Sequence, residues 1–307
     1  MNVEDVMTSR EDVVTVEIPG TRDDVLDYLQ TRTFSSVPAV KYTDDGEVFR
    51  GIVSRSSLIK RPDEDQLALL AEDVPATTAD TSLADIADLM VSEGERRIPV
   101  LSGERLEGIV TVTDVVRAIA HGELDGEVTV GSVADEEVNC VYSGTPLPVA
   151  ERELAFAQVP YAVVLGDDCE MAGMLTEVDI IDVARVVEGE EDTGESIANQ
   201  DDDWAWEGIK AVGNRYMPTR NVEIPNGPVE AFMTADVVSV SAQRPVTEAA
   251  QLMIEHDIEQ LPLVGGGRLT GIVQDMDLLE ASRAFTPTAR RARPSRTTSK
   301  PPGATGS

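Results

Sequence analysis

The chain has 307 residues, of which 57 are acidic and 25 are basic, so its formal net charge at pH 7 is −32. Such a negative field repels nucleic acids and anionic membrane surfaces, and it disfavours both as main partners. The acidic residues are spread along the chain; we therefore expect a salt-accumulating halophilic archaeon as the source, because molar salt shortens the Debye length to about 3 Å and screens the repulsion.

Membrane insertion, secretion and metal binding find no support in the sequence. No apolar run reaches membrane-spanning length, and the N-terminus MNVEDVMTSR lacks the basic and apolar segments of a signal peptide. We therefore expect a soluble, cytoplasmic protein. The two cysteines, Cys140 and Cys169, are too few for a disulfide framework or a C-x-x-C zinc site.

In chain order, four segments repeat one pattern: an apolar residue before a proline and, after a short gap, a glycine followed by two apolar residues. The gaps from proline to glycine are 13, 9, 13 and 9 residues, in Pro38–Gly51, Pro99–Gly108, Pro160–Gly173 and Pro262–Gly271. The alternation indicates that a pair of repeats was duplicated.

The second repeat shows the order of elements within one unit. Ser82 is placed to cap a helix whose apolar residues recur at helical spacing. Residues 97–101 and 106–110 are predicted to form a β-hairpin around a Ser-Gly turn, and a second helix begins near Asp114.

The fourth repeat follows the same plan. Residues 237–240 alternate like a short strand, and an apolar helix pattern begins at Val246. A hairpin is predicted from 260–264 and 269–273, which flank three glycines, with a helix from about Asp277. The unit is thus β-α-β-β-α, in an α/β fold. Because helices cover only one side of such a sheet, we expect the first repeat to pair with the second, and the third with the fourth.

The repeats are placed at 1–62, 63–124, 125–187 and 228–284, with an insertion at 188–227 and a tail at 285–307. The second part of the insertion holds Trp204 and Trp206 beside Lys210, Arg215 and Arg220. It could cover an apolar edge or contribute cations to an anionic ligand. The tail is rich in Pro, Ser, Thr and Gly with five cations and no acids, which predicts disorder; nucleic-acid binding through it is the less favoured alternative.

These motifs resemble the CBS-domain family, and a pair of such repeats resembles a Bateman module. The resemblance implies binding of an adenosine-containing ligand, such as AMP, ADP, ATP or S-adenosylmethionine, in clefts between paired repeats. The family's Thr-x-x-Asp stretch maps here onto Ser54 and Ser57, Thr111 and Asp114, Thr176 and Asp179, and Gln274 and Asp277.

The implied chemistry is physically reasonable. A carboxylate can accept hydrogen bonds from the two ribose hydroxyls, and the helix start favours a phosphate. The adenine slot would use the first strands, at 14–16, Thr77 and 238–240, and the segment before each proline. Arg55, Arg96 and Arg97 are candidate cations for the phosphate.

The same stretch is also a capping-box pattern, which stabilises a helix and binds no ligand. The departures at Ser57 and Gln274 make the clefts unequal. We expect one cleft in each pair, led by Asp114 and Asp179, with Asp277 next.

No catalytic motif accompanies the repeats. The two histidines, His121 and His256, both fall at predicted helix ends, and no phosphate-binding loop or nucleophile triad is present. We therefore expect a non-enzymatic sensor of adenine nucleotides, with no required cofactor, that signals to a partner protein and forms a monomer or a homodimer. The alternatives are a ligand-free scaffold and a nucleic-acid-associated regulator that acts through its basic tail.

Overall fold

The computed structural model describes residues 1–31, 36–44, 46–54, 57–58, 61, 64–124, 126–157, 159–183, 185–188 and 220–282. Several predictions lie outside these ranges. They concern the disordered tail at 285–307 and the side chains of Arg55, Trp204, Trp206, Lys210 and Arg215. For Arg220 only the backbone is described.

The first half of the chain contains six strands, four α-helices with given bounds and a 3₁₀-helix at Val3–Asp5 among the described residues. Their bounds are β1 (Thr8–Ser9), β2 (Val16–Glu17), α1 (Arg22–Thr31), β3 (Ser36–Thr43), β4 (Gly46–Ser54), α2 (Leu67–Leu70), α3 (Leu83–Glu93), β5 (Arg97–Ser102), β6 (Arg105–Thr111) and α4 (Val112–Ala120).

The second half largely follows this order, without counterparts of β1 and α2, and adds two strands between its repeats. Its elements are β7 (Cys140–Tyr142), α5 (Leu147–Ala157), β8 (Tyr161–Leu165), β9 (Met171–Thr176), α6 (Glu177–Val183), β10 (Arg185–Glu188), β11 (Arg220–Glu223), α7 (Val246–His256), β12 (Gln260–Gly265), β13 (Arg268–Gln274) and α8 (Asp275–Ser282). The extra strands β10 and β11 pair antiparallel, so the two ends of the predicted insertion lie side by side.

Local sequence signals set most of these elements. The predicted hairpins form as β5–β6 and β12–β13, and Gly103, Gly266 and Gly267 occupy their turns at positive φ, where glycine carries no steric penalty. The predicted cap on α3 is confirmed, since Ser82 Oγ accepts from the backbone N–H of Asp85 at 3.2 Å.

The predicted first strands are shorter in the structure than in the sequence pattern. The strand expected at 14–16 is Val16–Glu17, and that expected at 237–240 is reduced to one parallel bridge between Val240 and Leu263. Thr77 likewise makes one parallel bridge, with Val100. The prediction of a regular strand at 237–240 was therefore wrong, because this segment reaches its neighbour at only one point.

Each repeat begins with an arm that crosses to the other repeat of its pair. The four arms are residues 1–9, 66–72, 128–135 and 227–234. In the first arm, the N–H of Val3 donates to Thr81 beside the start of α3, and Thr8 pairs with Ile109 of β6. The other three arms bridge to Ile52, Ile272 and Met174. The repeats of a pair are therefore linked by backbone hydrogen bonds between arm and hairpin as well as by apolar packing.

The crossing explains the glycine of the repeated pattern. A Cβ at Gly51, Gly173 or Gly271 would lie 2.6, 2.7 and 2.8 Å from the carbonyl oxygen of Glu72, Thr234 and Asp135 in the crossing arms. A Cβ at Gly108 would likewise lie too close to the carbonyl oxygen of Thr8 in the first arm. Only glycine lets the arm approach the second hairpin strand this closely.

The two pairs pack together through helices of the second and fourth repeats. Their apolar faces form one continuous core, to which α3 and α4 contribute Ile86, Met90, Val115 and Ile119, and α7 and α8 contribute Ala250, Met253 and Leu278. The predicted α/β fold with two paired modules is confirmed. No helix in the described part of the chain is long and apolar enough to cross a membrane.

Candidate functional site

A cavity of about 850 Å³ opens where the third and fourth repeats meet the second. The third repeat contributes Pro160, at the end of the segment before β8, and the start of α6. The fourth repeat contributes residues 236–238, which follow its arm, and residues 256–260, which link α7 to β12. The second repeat contributes Arg97 and one face of α4. Three repeats from both pairs therefore enclose the cavity.

The polar wall of the cavity is the start of α6. Asp179 Oδ2 accepts from the backbone N–H and the hydroxyl of Thr176 at 2.8 and 2.7 Å, which forms a helix cap. Thr234, at the end of the fourth repeat's arm, donates its hydroxyl to Asp179 Oδ1 at 3.3 Å. Thr176, Asp179 and Thr234 all line the cavity, so the predicted Thr-x-x-Asp pair faces a space large enough for a nucleoside.

The apolar wall lies on the fourth repeat. Val237 and Val238 line the cavity together with Ile258 and Met174, and the two valines are half-buried. Val238 belongs to the segment that the sequence assigned to an adenine slot. An aromatic base could bury its faces between such aliphatic side chains.

Arg97 is a cation without an ion-pair partner among the described residues. It is half-buried at the start of β5 and lines the cavity. Burial lowers the pKa of its guanidinium below the ordinary value, and the neighbouring charge of Arg96 lowers it further. A partly desolvated guanidinium without an ion-pair partner is well suited to donate hydrogen bonds to an anionic group of a ligand.

Arg96 has a different role from the one that its sequence position indicated. Its guanidinium donates to both oxygens of Asp275, at 2.9 and 2.5 Å, and lies 3.1 Å from Glu259. Burial alone would lower the pKa of Arg96, but the hydrogen bond and charge of Asp275 outweigh it and raise that pKa. The pair links the second repeat to the fourth, so Arg96 is already committed to a carboxylate.

The other predicted site residues do not line this cavity. Each makes a local contact at a helix start or turn. Asp114 and Asp277 cap α4 and α8, Ser54 and Ser57 cap each other, and Thr77 donates to Thr81. Asp114 also holds Arg117 at 3.1 Å. The capping interpretation is confirmed for Thr111–Asp114 and Thr176–Asp179, whereas ligand binding by any predicted residue stays a prediction.

Sequence reasoning missed five carboxylates at this site. The missed side chains that line the cavity are Glu177, Asp236, Asp257, Glu259 and Asp275. Asp236 follows the arm of the fourth repeat, and Asp257 ends α7 with a left-handed backbone at φ 53°. The sequence did hold a signal for these two residues. Asp236 lies just before residues 237–240 and Asp257 lies shortly before β12, and the adenine slot was assigned to those two segments.

A sequence model of the CBS domain matches residues 3–64, 68–121 and 229–284, which together make up more than half of the chain. The chain belongs to the CBS-domain family. The matched ranges do not include residues 125–187, where the structure nevertheless has the order β7, α5, β8, β9, α6 of a CBS repeat.

Two archaeal proteins resemble the chain over most of its length. It is 23% identical over 279 residues, or 91% of the chain, to the uncharacterized protein MJ1404 of Methanocaldococcus jannaschii, and it spans 61% of that protein. The crystal structure of an uncharacterized conserved protein from Pyrococcus horikoshii superposes with a TM-score of 0.64, at 25% identity, over 92% of this chain and all of that one.

A second solved structure shows the same fold. Protein MJ1225 of Methanocaldococcus jannaschii, described as a proposed archaeal homolog of g-AMPK, superposes with a TM-score of 0.63 at 18% identity. The likeness covers 92% of this chain and 99% of that one.

Proposed function

We propose that the chain is a regulatory protein of four CBS repeats that binds an adenosine-containing ligand in the cavity between its third and fourth repeats. The observation that carries the proposal is the convergence of Asp179, Val238 and Arg97 on one space of about 850 Å³. Asp179 would accept from ribose hydroxyls, the valine segment would hold adenine, and Arg97 would pair with an anionic group.

The equivalent construction of all four units supports the count of four repeats. Each has an arm that crosses its partner at the signature glycine, and residues 125–187 share this feature through Gly173. The spread of acidic residues through all four repeats supports a halophilic archaeal source and a cytoplasmic setting. The packing of α4 against α7 supports assembly of the two pairs within one chain.

The cavity walls suggest how binding would become a signal. Arg97 belongs to the first pair and Asp179 to the second, so a ligand that contacts both would favour one packing of the two pairs over others. The shift can be no larger than the difference in the ligand's affinity for the two arrangements. A partner protein would read that arrangement, and the chain itself would catalyse no reaction.

Calorimetric titration in molar KCl with adenosine, AMP, ATP and S-adenosylmethionine tests the proposal. Asp179→Asn should lower the affinity of the ligand that binds by about tenfold, since it weakens a charge-assisted contact. Asp277→Asn is the matched control, because Asp277 caps α8 in the same way but does not line the cavity. The absence of binding by all four compounds, or equal losses in both variants, would contradict the proposal.

A scaffold function is the second candidate, and the caps favour it. The carboxylates of Asp114, Asp179 and Asp277 all serve a helix start, so their presence is explained without a ligand. A scaffold predicts an unchanged melting temperature across the same four compounds, whereas a sensor predicts a rise that grows with ligand concentration.

A further inference from the structure

The third and fourth repeats are built alike, so each part of the cavity wall has a counterpart on the other side of the pair. Strand register identifies the counterparts. Thr176 pairs with Tyr161 at the start of β8, and Gln274 pairs with Gln260 at the start of β12. Tyr161 and Gln260 therefore occupy equivalent positions, each opposite the residue that precedes a capped helix.

Gln260 lies at the open side of the pair. Its side chain is half-buried and lines the cavity together with Asp179. Thr234, at the end of the fourth repeat's arm, and Val238, which follows it, also line the cavity. The open space is thus bounded by a helix start, an arm and a first-strand segment, with a glutamine at the beginning of the neighbouring strand.

The counterpart of this space, which we call the sister cleft, is defined by Asp277 near the start of α8, Asp135 at the end of the third arm and Cys140 at the start of β7. Asp135 corresponds to Thr234, because each makes the arm's bridge to the residue after the signature glycine. The phenol of Tyr161 lies near all three groups. Its burial, and next the charges of Asp135, Asp277 and Cys140, raise the pKa of that phenol to about 12.

The side chain of Tyr161 fills the sister cleft. It is only 3% exposed and belongs to an apolar cluster with Met174 of the third repeat and Ile272 of the fourth. The neighbouring Asp277 is 6% exposed, whereas the equivalent Asp179 is half-buried at the cavity. The two clefts therefore differ in the structure: one is an open space and the other is packed.

A tyrosine side chain shares two features with a nucleoside base. Its ring is flat and aromatic, and its hydroxyl is a polar group at the edge, so a buried tyrosine packs against apolar side chains and keeps the hydroxyl near a polar group. Here the carboxylates of Asp135 and Asp277 lie on the polar side. The side-chain amide of Asn139 also donates to the backbone carbonyl of Tyr161 at 2.9 Å, which fixes this residue at the start of β8.

We propose that Tyr161 is a built-in occupant of the sister cleft, and that its ring excludes a ligand from the side of Asp277. The second pair then binds one ligand and not two, because only the cleft with Gln260 is left open. Tyr161 thereby determines the number of sites. The class of the excluded ligand, an adenine nucleoside, rests on the proposed function, but the occupancy of the sister cleft by the ring does not.

Exchange of the two equivalent residues tests the inference by calorimetric titration with adenosine in molar KCl. Tyr161→Gln places in the sister cleft the residue that is found at the open one, and it should add one adenosine site per chain. Gln260→Tyr should fill the cavity and lower the affinity of its site by at least about tenfold. Tyr161→Phe is the matched control, since it keeps the ring and should leave the number of sites unchanged.

The added site should depend on the carboxylate of the sister cleft. The double variant Tyr161→Gln/Asp277→Asn should therefore lose most of the gain that Tyr161→Gln alone produces. An unchanged number of sites in Tyr161→Gln would overturn the inference and leave the proposed function intact. An added site in Tyr161→Phe would do the same, because the ring would then not be what excludes the ligand.

A probe that is not a nucleoside separates the inference from the proposed function. Tyr161→Ala, or Tyr161→Gln if the alanine variant does not fold, removes the ring. The free molecule 4-methylphenol, which corresponds to the tyrosine side chain, should then raise the melting temperature increasingly with its concentration. Tyr142→Ala, at a tyrosine that is 53% exposed, is the control and should not respond. Equal responses would overturn the inference, whereas failure of the unaltered chain to bind adenosine would refute only the proposed function.

Discussion

Arg96, in the second repeat, donates two hydrogen bonds to the carboxylate of Asp275 in the fourth, and Asp275 is only 4% exposed. The bidentate pair joins the two halves of the protein beside the proposed ligand cavity. Removal of the guanidinium would leave a buried carboxylate without its cation, which is more costly than the loss of an exposed ion pair.

Arg96→Ala should therefore lower the free energy of unfolding by about 1–3 kcal/mol. The matched variant is Arg244→Ala, whose pair with Glu248 spans 3.4 Å at the surface and should contribute less than about 1 kcal/mol. Chemical denaturation in molar KCl measures both. Equal losses in the two variants would show that the pair between the repeats has no special role.

The arm crossings can be tested within a single hairpin. Gly271→Ala places a Cβ 2.8 Å from the carbonyl oxygen of Asp135, whereas at Gly265 the nearest atom is a Thr270 methyl at 3.4 Å. We expect Gly271→Ala to cost about 1–3 kcal/mol through overpacking, and Gly265→Ala to change stability by less than about 0.5 kcal/mol. Chemical denaturation compares the unfolding midpoints of the two variants. Similar midpoints would argue against a close approach of the arm to Gly271.

Alkaline pH should weaken the fold through Tyr161. Its burial, and next the nearby carboxylates of Asp135 and Asp277, raise the pKa of the Tyr161 phenol to about 12, compared with about 10 in an unfolded chain. Between these pH values the unfolded chain has released a proton that the folded protein retains, so this contribution is complete below about pH 10 and is lost as the pH rises toward 12.

Tyr161→Phe should flatten the decline of the unfolding free energy over that pH range. Tyr42→Phe, at a tyrosine that is 55% exposed, is the matched control and should leave the decline as it is. The test is to measure the free energy of unfolding of both variants from neutral to alkaline pH. An unchanged slope in Tyr161→Phe would mean that the buried phenol does not control this range.

Arg97 should favour ligand binding at the expense of stability. Arg97→Gln removes a partly desolvated guanidinium that has no ion-pair partner among the described residues, so the melting temperature of the free protein should stay the same or rise. The affinity for S-adenosylmethionine should fall by about tenfold while that for adenosine changes little. Lower stability with unaltered affinities would assign Arg97 a structural role instead.

Local patterns were sufficient to predict the hairpins and helices of the second and fourth repeats. The glycine turn before Arg268 specified a hairpin, and Ser82 specified the start of α3, because both signals act within a few residues. The signature glycines were recognised as markers of the repeat, but their cause was not. That cause is the crossing of an arm from another repeat, which only the tertiary structure supplies.

The site was harder to predict for the same reason. Thr176 and Asp179 are three residues apart, so their cap follows from sequence, and both line the cavity in the structure. Arg97 lines the cavity together with residues of the third and fourth repeats, and no local pattern encodes how these repeats pack. Arg96 and Arg97 were equivalent in the sequence, yet one pairs with Asp275 and the other lines the cavity.

Photoaffinity labelling with an azido derivative of adenosine tests the central claim most directly, because it reports where adenine sits. Our account predicts that the label, in molar KCl, maps to the peptide that contains Val237 and Val238, that unlabelled adenosine prevents it, and that Asp179→Asn weakens it. Efficient and competable labelling confined to a peptide outside the cavity walls, or the absence of competable labelling, would contradict the account.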